Sequence, residues 1–372
     1  MLFSDGRSIR LCLQGIRLCP NLVFRSWLCH PLAFERIQGV PVTQPLKIFV
    51  TRRIPESALG PLRPFPEVKI WKSDDAVPRH VLLREAGNAV ALLATISEKI
   101  DPELLDHAPL LKIVANMAVG YDNVDVPALT NRGVLLTNTP GVLTQTTADL
   151  AFGLVLGIAR RLGEGERLVR SGNWPVWRPF SFLGADVHHA TLGIIGLGSI
   201  GQEVAKRARG FSMRVLYHNR SRNVQAEELY GCEKVSLDTL LRASDFVVVL
   251  VPLNRETRGL ISGAQLKKMQ PSAFLINVAR GPVVDSQALY EALRGKLIAG
   301  AALDVTDPEP LSADHPLLGL ENCMVVPHVG SASVVTRARM AEFAAENIAA
   351  FLDGKRPPAL VNEEAYGDLR EE

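Results

Sequence analysis

The sequence predicts an α/β protein with two parallel sheets, on the basis of three observations. From Lys47 onward, short runs rich in Val, Ile and Leu alternate with longer amphipathic runs, which is the pattern of β-α-β units. The short runs are apolar throughout, as expected for strands buried on both faces of a sheet. The length of 372 residues exceeds one typical core, which favours two domains with a cleft between them.

The first set of predicted strands, together with the end of the chain, predicts a small sheet domain. After His328, helical spacing runs over 334–352 and ends at Gly354, and we expect this helix to return to the first sheet. The sequence therefore predicts a flavodoxin-like α/β domain built from 47–146 plus 330–372. Its predicted strands are 47–52, 67–71, 90–95, 111–116 and 134–138.

The second set of strands predicts a larger domain over 147–329. A predicted helix over 147–162, with Thr147 as its N-cap, crosses from one domain to the other. Six strands with intervening helices are typical of a Rossmann-type doubly wound parallel sheet. These predicted strands are 191–196, 213–218, 245–251, 273–278, 299–304 and 323–327.

Residues 1–46 differ in composition from the rest of the chain. They hold five arginines and no lysine, against only Asp5 and Glu35. Such a segment resembles a mitochondrial presequence, but it is equally typical of an N-terminal extension from an upstream start. Three of the five cysteines also lie here, without zinc-ligand spacing, which fits a reducing compartment. We predict a cytoplasmic protein, with a mitochondrial location as the alternative.

The overall charge and the length of the apolar runs argue against two classes of partner. With 41 basic and 39 acidic residues, the formal net charge of +2 provides no broad basic field for a nucleic acid. The best apolar run, 150–159, ends at Arg160 and is too short for a membrane span. We therefore predict neither a nucleic-acid nor a membrane partner.

A glycine-rich turn after the first strand of the second set predicts a dinucleotide site. Gly196, Gly198 and Gly201 form a G-x-G-x-x-G pattern between a predicted strand and a predicted helix. Such glycines permit a tight turn, close approach of a pyrophosphate, and packing of the helix on the strand. The helix N-terminus would add unpaired amides and its positive dipole end.

The end of the following strand indicates which nicotinamide cofactor is used. The position where an acidic residue would bind a ribose 2′-hydroxyl is occupied instead by His218, Asn219, Arg220, Ser221 and Arg222. Two arginines and a serine suit a 2′-phosphate, although the alternative is a solvated basic loop. The sequence predicts NADP(H) as the preferred cofactor, with NAD(H) possible.

Three polar residues follow successive predicted strands at the edge where open α/β sheets bind ligands. Arg280 offers a planar fork to a carboxylate and can polarise an adjacent ketone. His328 is the natural proton donor, and Glu309 would favour its protonated form. We therefore predict hydride transfer to a small 2-keto acid with these three as catalytic residues. The acidic group Asp304, Asp307 and Glu309 is not expected to bind a metal, because Pro308 and Pro310 fix a bent loop.

With these residues in view, the chain resembles the D-2-hydroxyacid dehydrogenases over about 47–360, and most of all their glyoxylate/hydroxypyruvate reductases. The motifs that carry the resemblance are IFVTRRIP (48–55), VGYDNVD (119–125), GIIGLGSIGQ (193–202), NVARG (277–281), LDVTDPEPL (303–311) and PHVGSAS (327–333).

The resemblance implies a role for further residues. Arg280 would bind the substrate carboxylate together with the backbone of Val119 and Gly120, and Glu309 would tune the proton donor and acceptor His328. Ser331 would also contact the substrate. The remaining implied contacts are with the cofactor, at Ser199, Ile200, Pro252, Val278, Ala279, Asp304 and Gly330.

The resemblance also implies a homodimer in which the segment 171–179 packs across the partner. Trp177 would then reach the substrate pocket of the neighbouring subunit, while the alternative is an ordinary interface or core tryptophan.

The leading hypothesis is NADPH-dependent reduction of glyoxylate and hydroxypyruvate to glycolate and D-glycerate. Residues 94–97, Asn116 and Met117 are expected near the substrate but do not distinguish these acids from 2-ketogluconate or another 2-keto acid. A non-enzymatic alternative is a dinucleotide-sensing corepressor, since some proteins of this fold keep the same three residues. Arg220 and Arg222 argue against it, because such sensors resemble NAD binders.

Overall fold

The computed structural model describes residues 46–371, and their strands form two separate parallel sheets. The predicted N-terminal extension lies outside the described residues except for Leu46, whose side chain is buried against the first sheet. The first sheet has five strands, and its order places the third strand at the centre. The strands are β1 (Lys47–Val50), β2 (Glu67–Ile70), β3 (Ala89–Ala94), β4 (Ile113–Asn116) and β5 (Leu135–Thr137), in the order β2-β1-β3-β4-β5.

The second sheet has seven strands, one more than predicted. Six agree with the predicted set to within a few residues at either end. The prediction of six was wrong because the seventh strand is only two exposed polar residues long, Glu233–Lys234, and shows no apolar run. The strands are β6 (Thr191–Ile195), β7 (Arg214–His218), β8 (Glu233–Lys234), β9 (Phe246–Val249), β10 (Phe274–Asn277), β11 (Gly300–Leu303) and β12 (Cys323–Val325), in the order β12-β11-β10-β9-β6-β7-β8.

Helices cover both faces of each sheet, so that every sheet has one apolar cluster above it and one below. This arrangement confirms the predicted α/β class with a Rossmann-type sheet. Within residues 46–371, no helix is both long and apolar enough to cross a membrane. The helices are α1 (Arg79–Ala86), α2 (Pro102–His107), α3 (Val126–Thr130), α4 (Thr144–Ala159), α5 (Leu162–Arg170), α6 (Ser199–Gly210), α7 (Val224–Tyr230), α8 (Leu237–Ala243), α9 (Gly263–Leu266), α10 (Ser286–Arg294), α11 (Val334–Leu352) and α12 (Glu363–Glu371), with 3-10 turns at Glu56–Leu62, Gly281–Val283 and Pro316–Gly319.

Helix α4 packs on the second sheet but begins earlier than predicted. Its first residue is Thr144, so Thr147 lies inside the helix and the N-cap position belongs to Leu143, which has no capping side chain. The prediction of Thr147 as the N-cap was wrong because the chain enters the helix from a tight turn at Gly141, whose φ is 79°. Asp149 therefore sits in the second turn, where it accepts a 2.8 Å hydrogen bond from Arg207 of α6.

Helix α11 occupies the predicted residues and carries the chain back to the first sheet. The side chain of Ser333 caps it, accepting from the backbone N–H of Thr336. Its buried face, which includes Ala344 and Ile348, packs in the same cluster as β1, β3 and β4. We call β1–β5 with their helices and α11 the first lobe, and β6–β12 with their helices the second lobe.

Candidate active site

The structure brings two of the predicted catalytic residues into direct contact at the carboxyl edge of the second sheet. Nδ1 of His328 lies 2.6 Å from Oε1 of Glu309. Because a carboxylate only accepts hydrogen bonds, Nδ1 carries the hydrogen and Nε2 is left for a ligand. Burial alone would raise the pKa of Glu309, but the hydrogen bond from His328 and its attraction, with that of Arg280, hold the pKa below the ordinary value. Glu309 is therefore a carboxylate that accepts the hydrogen bond of the His328 imidazole.

His328 has a left-handed backbone conformation, with φ of 51°. This conformation is rare for residues other than glycine and persists only where the surroundings hold it. Its backbone N–H donates to the carbonyl of Asp304 at 2.9 Å, which connects the turn to the end of β11. The backbone, rather than side-chain packing alone, thus sets the direction of the imidazole.

Asp304 secures the same turn with its side chain. Its two carboxylate oxygens accept from the backbone N–H groups of Val329 (2.6 Å) and Gly330 (2.9 Å). The residue is only 3% exposed, and this burial raises the pKa of its carboxyl, although the donors from the turn oppose the rise. The Asp304 carboxylate is thus hydrogen-bonded to Gly330, in the turn that directly follows His328. Their predicted contacts with the nicotinamide cofactor remain predictions.

Arg280 follows β10 and extends towards the first lobe. Its Nη1 donates to the carbonyl of Ala279 at 2.9 Å and its Nε to Oδ1 of Asp122 at 2.8 Å. A Cβ on Gly120 would collide with Nη2, so only glycine allows the guanidinium this close. Buried Asn277 fixes the turn beneath, because its amide accepts from the N–H of Ala279 and donates to the carbonyl of Arg280. Asn277 and Asp122 were missed as site residues, although both lie in the quoted motifs.

The loop that contains Val119 and Gly120 is anchored through its carbonyl groups. Asn138 donates to the carbonyl of Val119 at 2.9 Å, and the buried Asn116 donates to that of Gly120 at 3.1 Å. Within the described part of the chain, no group accepts a hydrogen bond from the N–H of either residue. Two backbone donors beside the Arg280 guanidinium are therefore free to bind an anion.

The glycine turn after β6 has the geometry that a dinucleotide pyrophosphate requires. Gly196 has a φ of 102°, and a Cβ there would lie 2.9 Å from the backbone that follows β9. A Cβ on Gly201 would lie 2.5 Å from the carbonyl of Gly196, whereas a Cβ on Gly198 would meet nothing within 4 Å. Gly198 therefore faces open space, and α6 begins immediately after it with Ser199 and Ile200. Free amides at this helix N-terminus fit the phosphates of a nicotinamide dinucleotide.

Among the residues after β7, one makes a structural hydrogen bond and the others have exposed side chains. Oδ1 of Asn219 accepts from the N–H of Leu197 at 2.7 Å and so connects the glycine turn to β7. Arg222 donates to Glu227, whose pKa is lowered by that bond and by one from Tyr217. Arg220 is 87% exposed along its side chain, and its ion pair with Glu256 is long, at 3.4 Å. Ser221 is exposed as well.

The other predicted contact residues lie at the same carboxyl edge. Pro252 is exposed just beyond β9, and Val278 and Ala279 are buried directly after β10. Ser331 is half-buried three residues after His328. The described residues contain no group of three or more His, Cys, Asp or Glu side chains placed to hold a metal ion.

Trp177 lies in an exposed segment that follows α5. Its residue is 72% exposed, and Trp174, Phe180 and Leu183 of the same segment are exposed too. The structure therefore does not bring Trp177 together with the other predicted site residues in one subunit. Its predicted contact with a neighbouring subunit remains a prediction.

Comparisons with known proteins agree with this geometry. Residues 152–330 match the family model described as "D-isomer specific 2-hydroxyacid dehydrogenase, NAD binding domain". The chain is 49% identical to a glyoxylate reductase of Thermococcus onnurineus over 322 residues, which cover 86% of this chain and 96% of that protein.

Two solved structures are similar over most of their length. One is a protein of Thermus thermophilus (TM-score 0.80, 44% identity, 85% of this chain and 100% of that one). The other is an NADPH-dependent glyoxylate/hydroxypyruvate reductase of Sinorhizobium meliloti in complex with NADP and malonate (TM-score 0.76, 34% identity, 87% and 98%). The chain therefore belongs to the D-isomer specific 2-hydroxyacid dehydrogenases, and it is an NAD(P)-dependent oxidoreductase that acts on a 2-hydroxy acid.

Proposed function

We propose that this protein reduces glyoxylate and hydroxypyruvate to glycolate and D-glycerate with NADPH. The observation that carries the proposal is the hydrogen-bonded pair of His328 and Glu309 beside a sheet edge that also presents Arg280. A proton donor hydrogen-bonded to a carboxylate, next to a guanidinium, suits reduction of a ketone or aldehyde adjacent to a carboxylate.

The substrate carboxylate binds between the two lobes. Gly120 lies against the guanidinium of Arg280, and the N–H groups of Val119 and Gly120 have no acceptor among the described residues, which supports one carboxylate site shared by these donors. Bidentate binding by arginine fixes both the position and the plane of the carboxylate. The carbonyl of a 2-keto acid is then held at a fixed distance from the same guanidinium, which can polarise it.

The proton comes from Nε2 of His328. A nicotinamide dinucleotide held at the glycine turn would supply the hydride for the carbonyl carbon, and the alkoxide that develops would then need a proton. Glu309 keeps the imidazole oriented through Nδ1 and favours its protonated form. In the reverse direction the same nitrogen accepts the proton from the hydroxyl of a 2-hydroxy acid.

The preference for NADPH rests on the residues that follow β7. The four residues after His218 include no acid, and Arg220 is exposed, with a long ion pair to Glu256 at 3.4 Å, so it is available for a 2′-phosphate. Arg222 contributes less, because Glu227 already balances its charge. The reductase of Sinorhizobium meliloti, whose complex contains NADP, supports the same preference.

The substrate range rests on the names of relatives and on the loop after β3. Glyoxylate is the substrate named for the relative from Thermococcus onnurineus, and hydroxypyruvate appears in the name of the Sinorhizobium meliloti reductase. Ile96 is 36% exposed in the loop over 94–97, which is consistent with an apolar wall beside a short substrate.

We also propose a homodimer. Exposed apolar side chains cluster on α5 and the segment after it, and patches of this kind mark protein interaction sites in otherwise polar surfaces. In a dimer with twofold symmetry, each subunit would cover this surface of its partner, and Trp177 would approach the substrate pocket of that partner. The exposed side chains are Leu162, Val169, Trp174, Val176, Trp177, Phe180 and Leu183.

The experiment that tests the function is the oxidation of NADPH, followed at 340 nm, with glyoxylate, hydroxypyruvate and 2-ketogluconate in parallel. We expect turnover with the first two substrates, and a higher kcat/KM with NADPH than with NADH. Turnover of 2-ketogluconate alone would reassign the substrate. No turnover of any of the three acids would overturn the proposed substrates and indicate a different 2-keto acid.

A further inference from the structure

The Arg280 guanidinium has a partner to which the proposed function gives no role. Asp122 lies in the loop after β4, in the first lobe, while Arg280 follows β10 in the second lobe. Oδ1 of Asp122 accepts from Nε of Arg280 at 2.8 Å, over a separation of 158 residues in sequence. The pair therefore joins the two lobes at the position where we expect the substrate carboxylate.

The hydrogen bonds of the guanidinium leave its terminal fork available. Asp122 takes the single hydrogen on Nε, and the carbonyl of Ala279 takes one hydrogen on Nη1. Within residues 46–371, Nη2 of Arg280 donates no hydrogen bond. Asp122 thus holds the side edge of the planar group, so a substrate carboxylate can still approach Nη1 and Nη2 together.

The loop that carries Asp122 is held rigidly on both sides of it. Asn116 donates to the carbonyl of Gly120 at 3.1 Å, and Asn123 donates to the carbonyls of Thr95 (3.1 Å) and Glu98 (2.8 Å). The Asp122 carboxylate therefore has a fixed position relative to the free N–H groups of Val119 and Gly120. A group anchored in this way can orient a flexible partner.

We propose that Asp122 is a positioning residue, which holds the Arg280 guanidinium from the opposite lobe so that the carboxylate-binding fork is assembled only when the two lobes meet. This inference rests on the proposed function, because it assigns Asp122 to the same substrate site. Without Asp122, the long arginine side chain samples other rotamers. The entropy cost of ordering it again weakens substrate binding. The alternative is that Asp122 competes with the substrate for the guanidinium.

The test replaces Asp122 and measures kinetics and binding separately. Asp122→Ala removes the acceptor, whereas Asp122→Asn keeps an amide oxygen that can still accept from Nε. We expect Asp122→Ala to raise the Kd of oxamate for the NADP⁺-loaded enzyme by about 10-fold. We expect kcat/KM for glyoxylate to fall by about 10- to 100-fold, as for other displaced site groups. Asp122→Asn should recover a substantial part of both losses.

A matched control removes a comparable ion pair elsewhere in the first lobe. Asp106 pairs with Arg132 on the surface, and Asp106→Asn should leave the oxamate Kd and kcat/KM within twofold of the wild type. Thermal unfolding of each variant reports any loss of the fold. Oxamate binding by Asp122→Ala that is as tight as in the wild type, or tighter, would overturn the proposal in favour of competition.

A double-mutant cycle shows whether Asp122 acts through Arg280. In an Arg280→Lys background the side edge of the guanidinium is absent, so Asp122→Ala should change kcat/KM by less than twofold. An equal effect in both backgrounds would refute positioning through Arg280. Absence of glyoxylate turnover in the wild type would count against the proposed function instead, and oxamate titration would still decide the role of Asp122.

Discussion

Two parts of the same sheet edge differ in how firmly their functional side chains are held. At the β10–β12 end, Arg280, Glu309 and His328 are each fixed by hydrogen bonds to neighbouring side chains or backbone. At the β7 end, Arg220 is almost fully exposed and its ion pair with Glu256 is long. Groups that take part in bond making need a fixed geometry, whereas an exposed arginine can bind a phosphate by charge with little preorganisation. Mutations at the two ends should therefore differ in size and in the kinetic constant that they change.

The largest effect is expected from loss of the proton donor. His328→Asn should lower kcat by about 10² to 10⁴, which is the usual contribution of a positioned general acid. Asparagine tolerates the left-handed backbone conformation better than alanine does, so the turn is preserved while the proton is lost. Steady-state kinetics with glyoxylate measure the effect, and an unchanged thermal unfolding midpoint shows that the turn is intact. Wild-type kcat in this variant would remove His328 from the mechanism.

A smaller but still large effect is expected from crowding Arg280. In Gly120→Ala the new Cβ would overlap Nη2 of Arg280, so the guanidinium or the loop must move. We expect kcat/KM to fall by about 10- to 100-fold, mainly through KM, because the carboxylate site is displaced. Gly153→Ala is a matched control, since nothing lies within 4 Å of a Cβ there and α4 is already helical. Similar losses in both variants would contradict the local explanation.

The third effect concerns pH. The pKa of Glu309 lies below its ordinary value, so the residue stays a carboxylate, hydrogen-bonded to His328, throughout the neutral range. In Glu309→Gln the negative charge beside the imidazole is lost, and because a neighbouring carboxylate favours a proton donor in its charged form, the fall of the reduction rate with rising pH should begin at a lower pH. Profiles of kcat/KM for glyoxylate from mildly acidic to mildly alkaline pH test this expectation. A profile with the wild-type midpoint would show that Glu309 only orients the imidazole.

The smallest effect is expected from the exposed arginines that follow β7. Arg220→Ala should raise KM for NADPH by about two- to fivefold and leave KM for NADH unchanged, since exposed charge pairs are worth about 1 kcal/mol or less. Arg222→Ala should have less effect, because Glu227 already engages this arginine. Kinetics with both cofactors at two ionic strengths measure the difference, which should shrink at high salt. Parallel changes in the KM of NADH would indicate a structural role instead.

The sequence predicts the fold well where one signal dominates. Strands such as β9 and β10 are short apolar runs between loops, and α11 has a capping serine before it and a glycine after it, so their positions follow from local patterns. Two local predictions were wrong for a physical reason. The start of α4 is set by the turn before it rather than by Thr147, and β8 exists only through pairing with β7.

The site is less predictable than the fold because its contacts join distant parts of the chain. Arg280 and His328 stand out as polar residues at the ends of apolar strands, which is a local signal. Asp122 stands out only when the other lobe places Arg280 beside it. The left-handed conformation of His328 likewise depends on Asp304, which precedes it by a whole connection between strands. Contacts of this kind follow from the three-dimensional structure and not from local sequence patterns.

The anchoring of the Val119 and Gly120 carbonyls has a consequence for how the substrate range of this enzyme can be altered. The carboxylate site that we propose consists partly of main-chain N–H groups, which no side-chain replacement removes, and their peptide units are anchored through the carbonyl groups. The wall that we propose for the rest of the substrate comes instead from side chains such as Ile96, in the loop after β3. Laboratory evolution that varies residues 95–97 should therefore widen or narrow the accepted tail while the grip on the acid group is retained.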